Sequence, residues 1–176
     1  MWSAGRPGKC RCPDARLELA SGRRGPLRER PERDLARRYL ERIGKIGRGV
    51  GLDAPDVIEL DESRARRAEE RKRDEAAALR AALDPKLALF ALDEGGKTMS
   101  SEAFAAAIGR RRDDGAAGIA FVIGGADGID PSLLADAQAR LAFGAMTWPH
   151  QIVRILLAEQ LYRAATILAG HPYHRA

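Results

Sequence analysis

Three apolar runs in the second half of the chain constrain the fold more than any other feature. KLALFALDE (86–94) ends in acids and a GGK turn. GIAFVI (118–123) breaks into GGADG, and LAFGAMTW (141–148) leads through Pro149 into the last helix. The first run is followed by a helix predicted over Ser100 to Arg112, with Ser100 or Ser101 as its N-cap. The second is followed by a short helix in PSLLADAQAR, which Asp130 or Ser132 can cap. Strands that alternate with helices predict an α/β fold with a mainly parallel sheet.

The first half fits the same alternation. PERDLARRYLERIGKIGR opens with Pro31 at a first helical position, and Leu35, Tyr39, Leu40 and Ile43 recur at helical spacing. DVIELDE is a short strand. SRARRAEERKRDEAAALRAAL reads as a long charged helix, in which Glu69 and Arg73 are spaced for an i,i+4 pair. A mixed-charge run of this kind reads as a solvated face before it reads as an RNA grip.

Charge is distributed unevenly. The net charge of +5 suggests a nucleic-acid partner. Residues 1–30 hold eight basic and three acidic side chains, which leaves the rest of the chain balanced. That first segment is rich in Gly, Pro and Arg, and only Leu17–Leu19 hints at a strand. Cys10 and Cys12 are too close for an ordinary disulfide, and all three histidines lie beyond position 149, so no metal-ligand spacing is present. No run approaches the roughly 18 apolar residues that span a bilayer, and no apolar leader follows Met1. A soluble, cytoplasmic protein is expected.

In parallel sheets, ligands bind beyond the carboxyl ends of the strands. Each of the three glycine-bearing strand ends can be read as a simple tight turn; together they point to one shared pocket. The second, G-G-x-x-G, is neither a dinucleotide fingerprint nor a phosphate-binding P-loop. The final helix, HQIVRILLAEQLYRAATILAG, is apolar on nearly all faces, which requires burial in a subunit interface or inside the monomer. The chain closes on His171-Pro172-Tyr173-His174-Arg175, residue types that stack on bases, bind phosphate and titrate near neutrality.

LDEGGKTMSSEAFA (92–105), FVIGGADG (121–128), FGAMTWPHQIVRILLAEQLYRAATILAGHPYHR (143–175) and PERDLARRYLERI (31–43) together resemble the RlmH family. These are SPOUT methyltransferases that act on N3 of a pseudouridine in 23S ribosomal RNA. The resemblance runs from about Pro31 to Arg175. It implies a SPOUT α/β fold with a C-terminal trefoil knot, S-adenosyl-L-methionine as methyl donor without a metal, and a homodimer joined through the C-terminal helix and tail. The ribosome is the implied partner, with no membrane role. Carried over by position, the cofactor site comprises Leu92, Gly124, Phe143, Gly144, Ala145, Met146, Thr147 and Trp148. The tail supplies Tyr173, His174 and Arg175 as catalytic residues from across the dimer.

Residues 1–30 depart from the family pattern and are expected to form a divergent basic segment ahead of a methyltransferase domain spanning 31–176. Arg16 to Ala20 is expected to begin a shortened first strand, lying at an edge of the sheet. Two other classes remain open: a non-catalytic ribosome-binding module with the same fold, and a nucleotide-dependent enzyme such as an oxidoreductase. The missing dinucleotide fingerprint counts against the latter.

Overall fold

The computed structural model describes residues 15–23 and 31–173; the two cysteines, His174 and Arg175 lie outside them. Five strands, β1 (Arg16–Arg23), β2 (Asp56–Asp61), β3 (Ala88–Lys97), β4 (Gly118–Ile123) and β5 (Ala139–Leu141), form one parallel sheet in the order β2-β1-β4-β3-β5. Five helices connect or flank them: α1 (Pro31–Ile46), α2 (Ala68–Ala82), α3 (Ser101–Asp113), α4 (Pro131–Asp136) and α5 (His150–Leu168). The expected parallel α/β fold is borne out.

Strand alternation divides the core in two. Leu17, Leu19, Phe90, Ile119 and Phe121 join the layer shared with Ile43, Phe104, Ile108, Leu157 and Leu161. Ala20, Ala91 and Val122 face Ala76, Leu79 and Leu133 on the other side. Phe121 is 0% exposed. It meets Phe90 and Phe104 in tilted, edge-directed contacts with centroids 5.6 and 6.0 Å away, the geometry aromatic quadrupoles favour.

Several local expectations are corrected. β1 is an interior strand paired to β2 and β4, not an edge strand, and it runs eight residues. The charged helix begins at Ala68, leaving Ser63–Arg67 as a loop, and Glu69 pairs with Lys72 at 3.1 Å rather than with Arg73. The GGK turn is a bulge within β3: Leu92 and Lys97 both pair with Leu141 of β5, and residues 93–96 bow outward between them. The third strand is Ala139–Leu141, so Phe143–Trp148 forms the loop beyond it.

The caps follow from sequence. Ser100 Oγ accepts from Ala103 N at 3.2 Å, and Asp130 Oδ1 accepts from Ser132 N at 2.9 Å. α5 packs along both α1 and α3, with Tyr39 and Tyr162 rings 6.1 Å apart and Ser101 Oγ donating to Gln160 Oε1 at 2.8 Å. Much of its all-round apolar character is therefore used inside the monomer. Its charges are paired: Arg154 with Glu59 at 2.7 Å, and Arg163 with Glu159 at 2.7 Å.

Candidate active site

Because every strand runs parallel, all strand C-termini emerge on one edge of the sheet. There the ends of β3, β4 and β5 and the start of α5 surround a cavity of about 730 Å³, within the range of roughly 300–1,000 Å³ typical of small-molecule sites. The three strand ends flagged in the sequence thus converge. Seven of the eight expected cofactor residues line the cavity: Leu92, Gly124, Phe143, Gly144, Met146, Thr147 and Trp148; Ala145 does not.

The middle wall is built by close backbone approach. After β4 the chain folds back, with Gly128 N donating to Gly125 O at 3.1 Å. A Cβ on Gly124 would stand 2.7 Å from Ile129 Cγ1 and 2.8 Å from the Gly128 carbonyl carbon. The third wall is apolar and open: Met146 is 75% exposed, and Trp148 is exposed beside it. A large exposed thioether and indole at a cavity mouth are suited to covering a ligand.

Charge in the lining has one sign. Asp93, Glu94 and Asp127 line the cavity, without a lysine or arginine. Asp93 is held by Arg140 at 2.6 Å, and Arg71 grips both Asp127 oxygens at 2.7 and 2.9 Å. Glu94 is exposed and has no ion-pair partner among the described residues. Such a lining suits a ligand carrying positive charge better than a polyphosphate. His150, at the first turn of α5, is held below its ordinary pKa by burial and by Arg154, against the opposing pull of Glu62 and Glu59.

Glu75 sits behind the glycine turn, where a Cβ on Gly125 would come within 2.8 Å of its Oε2. Burial pushes its carboxyl above the ordinary value, with Glu62 and Asp127 adding to the shift, while the Ser63 N–H and Arg71 oppose it. The folded state therefore holds this proton more tightly than the unfolded chain. The corresponding stability is present below about pH 4.5 and is lost as pH rises through the folded value. Glu75→Gln keeps an Oε1 to accept from Ser63 N and removes the ionised form. The variant is expected to melt above the parent at pH 7, with the gap closing by pH 4, as measured by thermal unfolding at both pH values.

The tail residue that is described lies elsewhere. Tyr173 packs edge-on against Tyr162 at 4.8 Å, with the Arg163 guanidinium 5.4 Å from its ring. It stands beyond the C-terminus of α5, whereas the cavity opens at the N-terminus of that 19-residue helix. Tyr162, the residue it packs on, lies twelve residues after His150, about 18 Å along the helix at 1.5 Å per residue. Within one protomer, the structure does not bring Tyr173 to the cavity.

Asp93, Glu94, Asp127 and His150 stand in segments that the sequence flags, but nothing in their spacing assigns them to the lining. Arg71 carries no sequence signal, because its partner lies 56 residues away. Among the described residues, no three of His, Cys, Asp and Glu cluster to hold a metal ion. None of the described helices is long and apolar enough to cross a membrane.

A family model for Predicted SPOUT methyltransferase matches residues 23–174. The chain belongs to the SPOUT methyltransferase family. Among its SPOUT relatives, Ribosomal RNA large subunit methyltransferase H of Sinorhizobium fredii is 57% identical over 152 residues, covering 86% of this chain and 95% of that protein. The protein of the same name from Rhizobium meliloti is 58% identical over 152 residues, with the same coverage. A solved SpoU methyltransferase, AviRb from Streptomyces viridochromogenes in complex with the cofactor AdoMet, aligns with a TM-score of 0.40 and 11% identity, over 85% of this chain and 58% of that one.

Proposed function

We propose that the protein is an S-adenosylmethionine-dependent methyltransferase of 23S ribosomal RNA, acting on N3 of a pseudouridine in the assembled ribosome in the cytoplasm. The cavity at the sheet edge, lined by glycine-bearing strand ends and carboxylates, carries this reading. High identity to relatives named Ribosomal RNA large subunit methyltransferase H supplies the substrate class.

The residues present fit the methyl donor. Gly124 leaves room where any side chain would strike the turn, and Phe143 to Trp148 form an adaptable apolar wall. Glu94, the lining carboxylate without an ion-pair partner among the described residues, supplies negative potential for a cationic centre. When bound, S-adenosylmethionine supplies a methyl group already activated on a positively charged sulfur. The protein then has to align base and cofactor, a contribution worth several kcal/mol, and accept the N3 proton. His174 is the proposed acceptor, Arg175 the group that steadies developing charge or a phosphate, and Tyr173 the group that positions the base.

These tail residues act on the cavity of a second copy. Two features support a homodimer: Tyr173 packs on Tyr162, about 18 Å along α5 from the cavity end of one protomer, and Ile152, Ile155 and Leu156 on α5 are partly exposed. The trefoil knot belongs to the same reading. It is supported by the likeness of residues 143–175 to the family's C-terminal stretch.

Calorimetric titration with S-adenosylmethionine is expected to give saturable heat, and its absence favours the non-catalytic module. His174→Ala is expected to keep that heat while methylation of ribosomes falls roughly 10²- to 10⁴-fold. Full methylation by the variant overturns the role of His174.

A further inference from the structure

The loop joining β2 to α2 follows a strand C-terminus and therefore lies on the same edge of the sheet as the cavity. It carries Arg64, Arg66 and Arg67, all exposed and without an ion-pair or hydrogen-bond partner for their guanidinium groups among the described residues. Most exposed acids nearby are already engaged: Asp74 accepts from Ser63 Oγ at 2.6 Å, and Glu69 pairs with Lys72. Three like charges within four residues repel one another unless a counter-charge approaches from outside.

The loop is also braced. Arg71 makes four hydrogen bonds, two to the loop carbonyls of Ala65 and Arg66 at 3.1 and 3.0 Å and two to Asp127 in the cavity wall. Ser63 Oγ accepts from Ala65 N at 3.2 Å, and Glu75 Oε1 accepts from Ser63 N at 3.4 Å. One guanidinium thus ties the backbone that carries the three free arginines directly to the cofactor wall. A fixed row of planar guanidiniums beside a reaction cavity matches the phosphodiester backbone of an RNA substrate.

We propose that Arg64, Arg66 and Arg67 form the phosphate-gripping edge that docks ribosomal RNA against the cavity. This rests on the methyltransferase reading above, which supplies the RNA. The Arg71–Asp127 bond fixes the register between the gripped backbone and the target base.

The test compares the parent with R64Q/R66Q/R67Q and with the α3 control R110Q/R111Q. It measures direct ribosome binding across a salt series, the KM for ribosomes, and the S-adenosylmethionine Kd. The triple variant is expected to bind ribosomes at least about tenfold more weakly, and the slope of log affinity against log salt is expected to shrink by about 2–3. Its cofactor Kd and the behaviour of the α3 control are expected to match the parent. An unchanged slope and KM in the triple variant overturns the proposal. An equal loss in the α3 control does the same, since it signals diffuse charge. So does a loss seen only on vesicles of phosphatidylcholine and phosphatidylserine, which assigns the edge to a membrane. If the parent binds ribosomes but transfers no methyl group, the enzymatic reading falls, while the salt slope still decides the docking edge.

Discussion

Replacing Gly124 by alanine is expected to abolish most S-adenosylmethionine binding in a protein that still folds. The added methyl would lie 2.7 Å from Ile129 Cγ1 and 2.8 Å from the carbonyl carbon of Gly128. The Ile129 side chain can give way, but the backbone of the turn cannot move without shifting the wall that carries Gly125 and Asp127. Overpacking of this kind costs about 1–3 kcal/mol; where binding must restore the parent wall, that corresponds to a cofactor Kd weakened roughly 5- to 150-fold. The sheet stays intact because Gly124 follows the last residue of β4 and makes none of its strand pairings. Calorimetry gives the affinity, and circular dichroism the fold. A variant that binds as tightly as the parent places the ligand elsewhere.

Gly118→Ala is expected to act on the fold itself. Gly118 opens β4 with φ 151°, and a Cβ there would lie 1.9 Å from the Arg16 carbonyl oxygen. Arg16 is its register partner in β1, so relief would require parting the two central strands. Strain and overpacking together predict a loss on the order of 3–5 kcal/mol, a large share of the roughly 5–15 kcal/mol that keeps a domain folded. Urea unfolding reads this directly. A loss below about 1 kcal/mol would mean that β1 does not pack on β4 as described.

That contact also bears on β1, whose place inside the sheet its local pattern does not give. Leu17 and Leu19 alternate with Arg16, Glu18 and Ala20, a pattern suited to a half-exposed strand. Glu18 is nevertheless only 2% exposed; one carboxylate oxygen is held by Arg16 at 2.9 Å, and the other lacks a hydrogen-bond partner among the described residues. Ser21 is buried, and its hydroxyl likewise has no partner among the described residues. Interior position was imposed by pairing with β2 and β4, and tertiary pairing leaves no trace in local alternation. β4 posed no such problem, because GIAFVI is apolar throughout and buried throughout.

The site shows the same division. Its glycine loops were legible because backbone turns demand particular residues. The Arg71 brace and the carboxylate lining were not, because ion pairs across 56 residues follow no spacing rule. The GGK turn became a bulge because a Cβ on Gly96 would meet the Leu141 backbone at 2.5 Å, an approach only the paired strands reveal. The all-apolar final helix left two origins open in the sequence, and packing against α1 and α3 accounts for its buried face.

Transfer of label from S-[methyl-³H]adenosylmethionine to ribosomes that lack the modification tests the central claim most directly. Incorporation into 23S ribosomal RNA at N3 of a pseudouridine, lost with Gly124→Ala, is the expected result. A protein that binds both cofactor and ribosomes yet leaves the RNA unlabelled contradicts it.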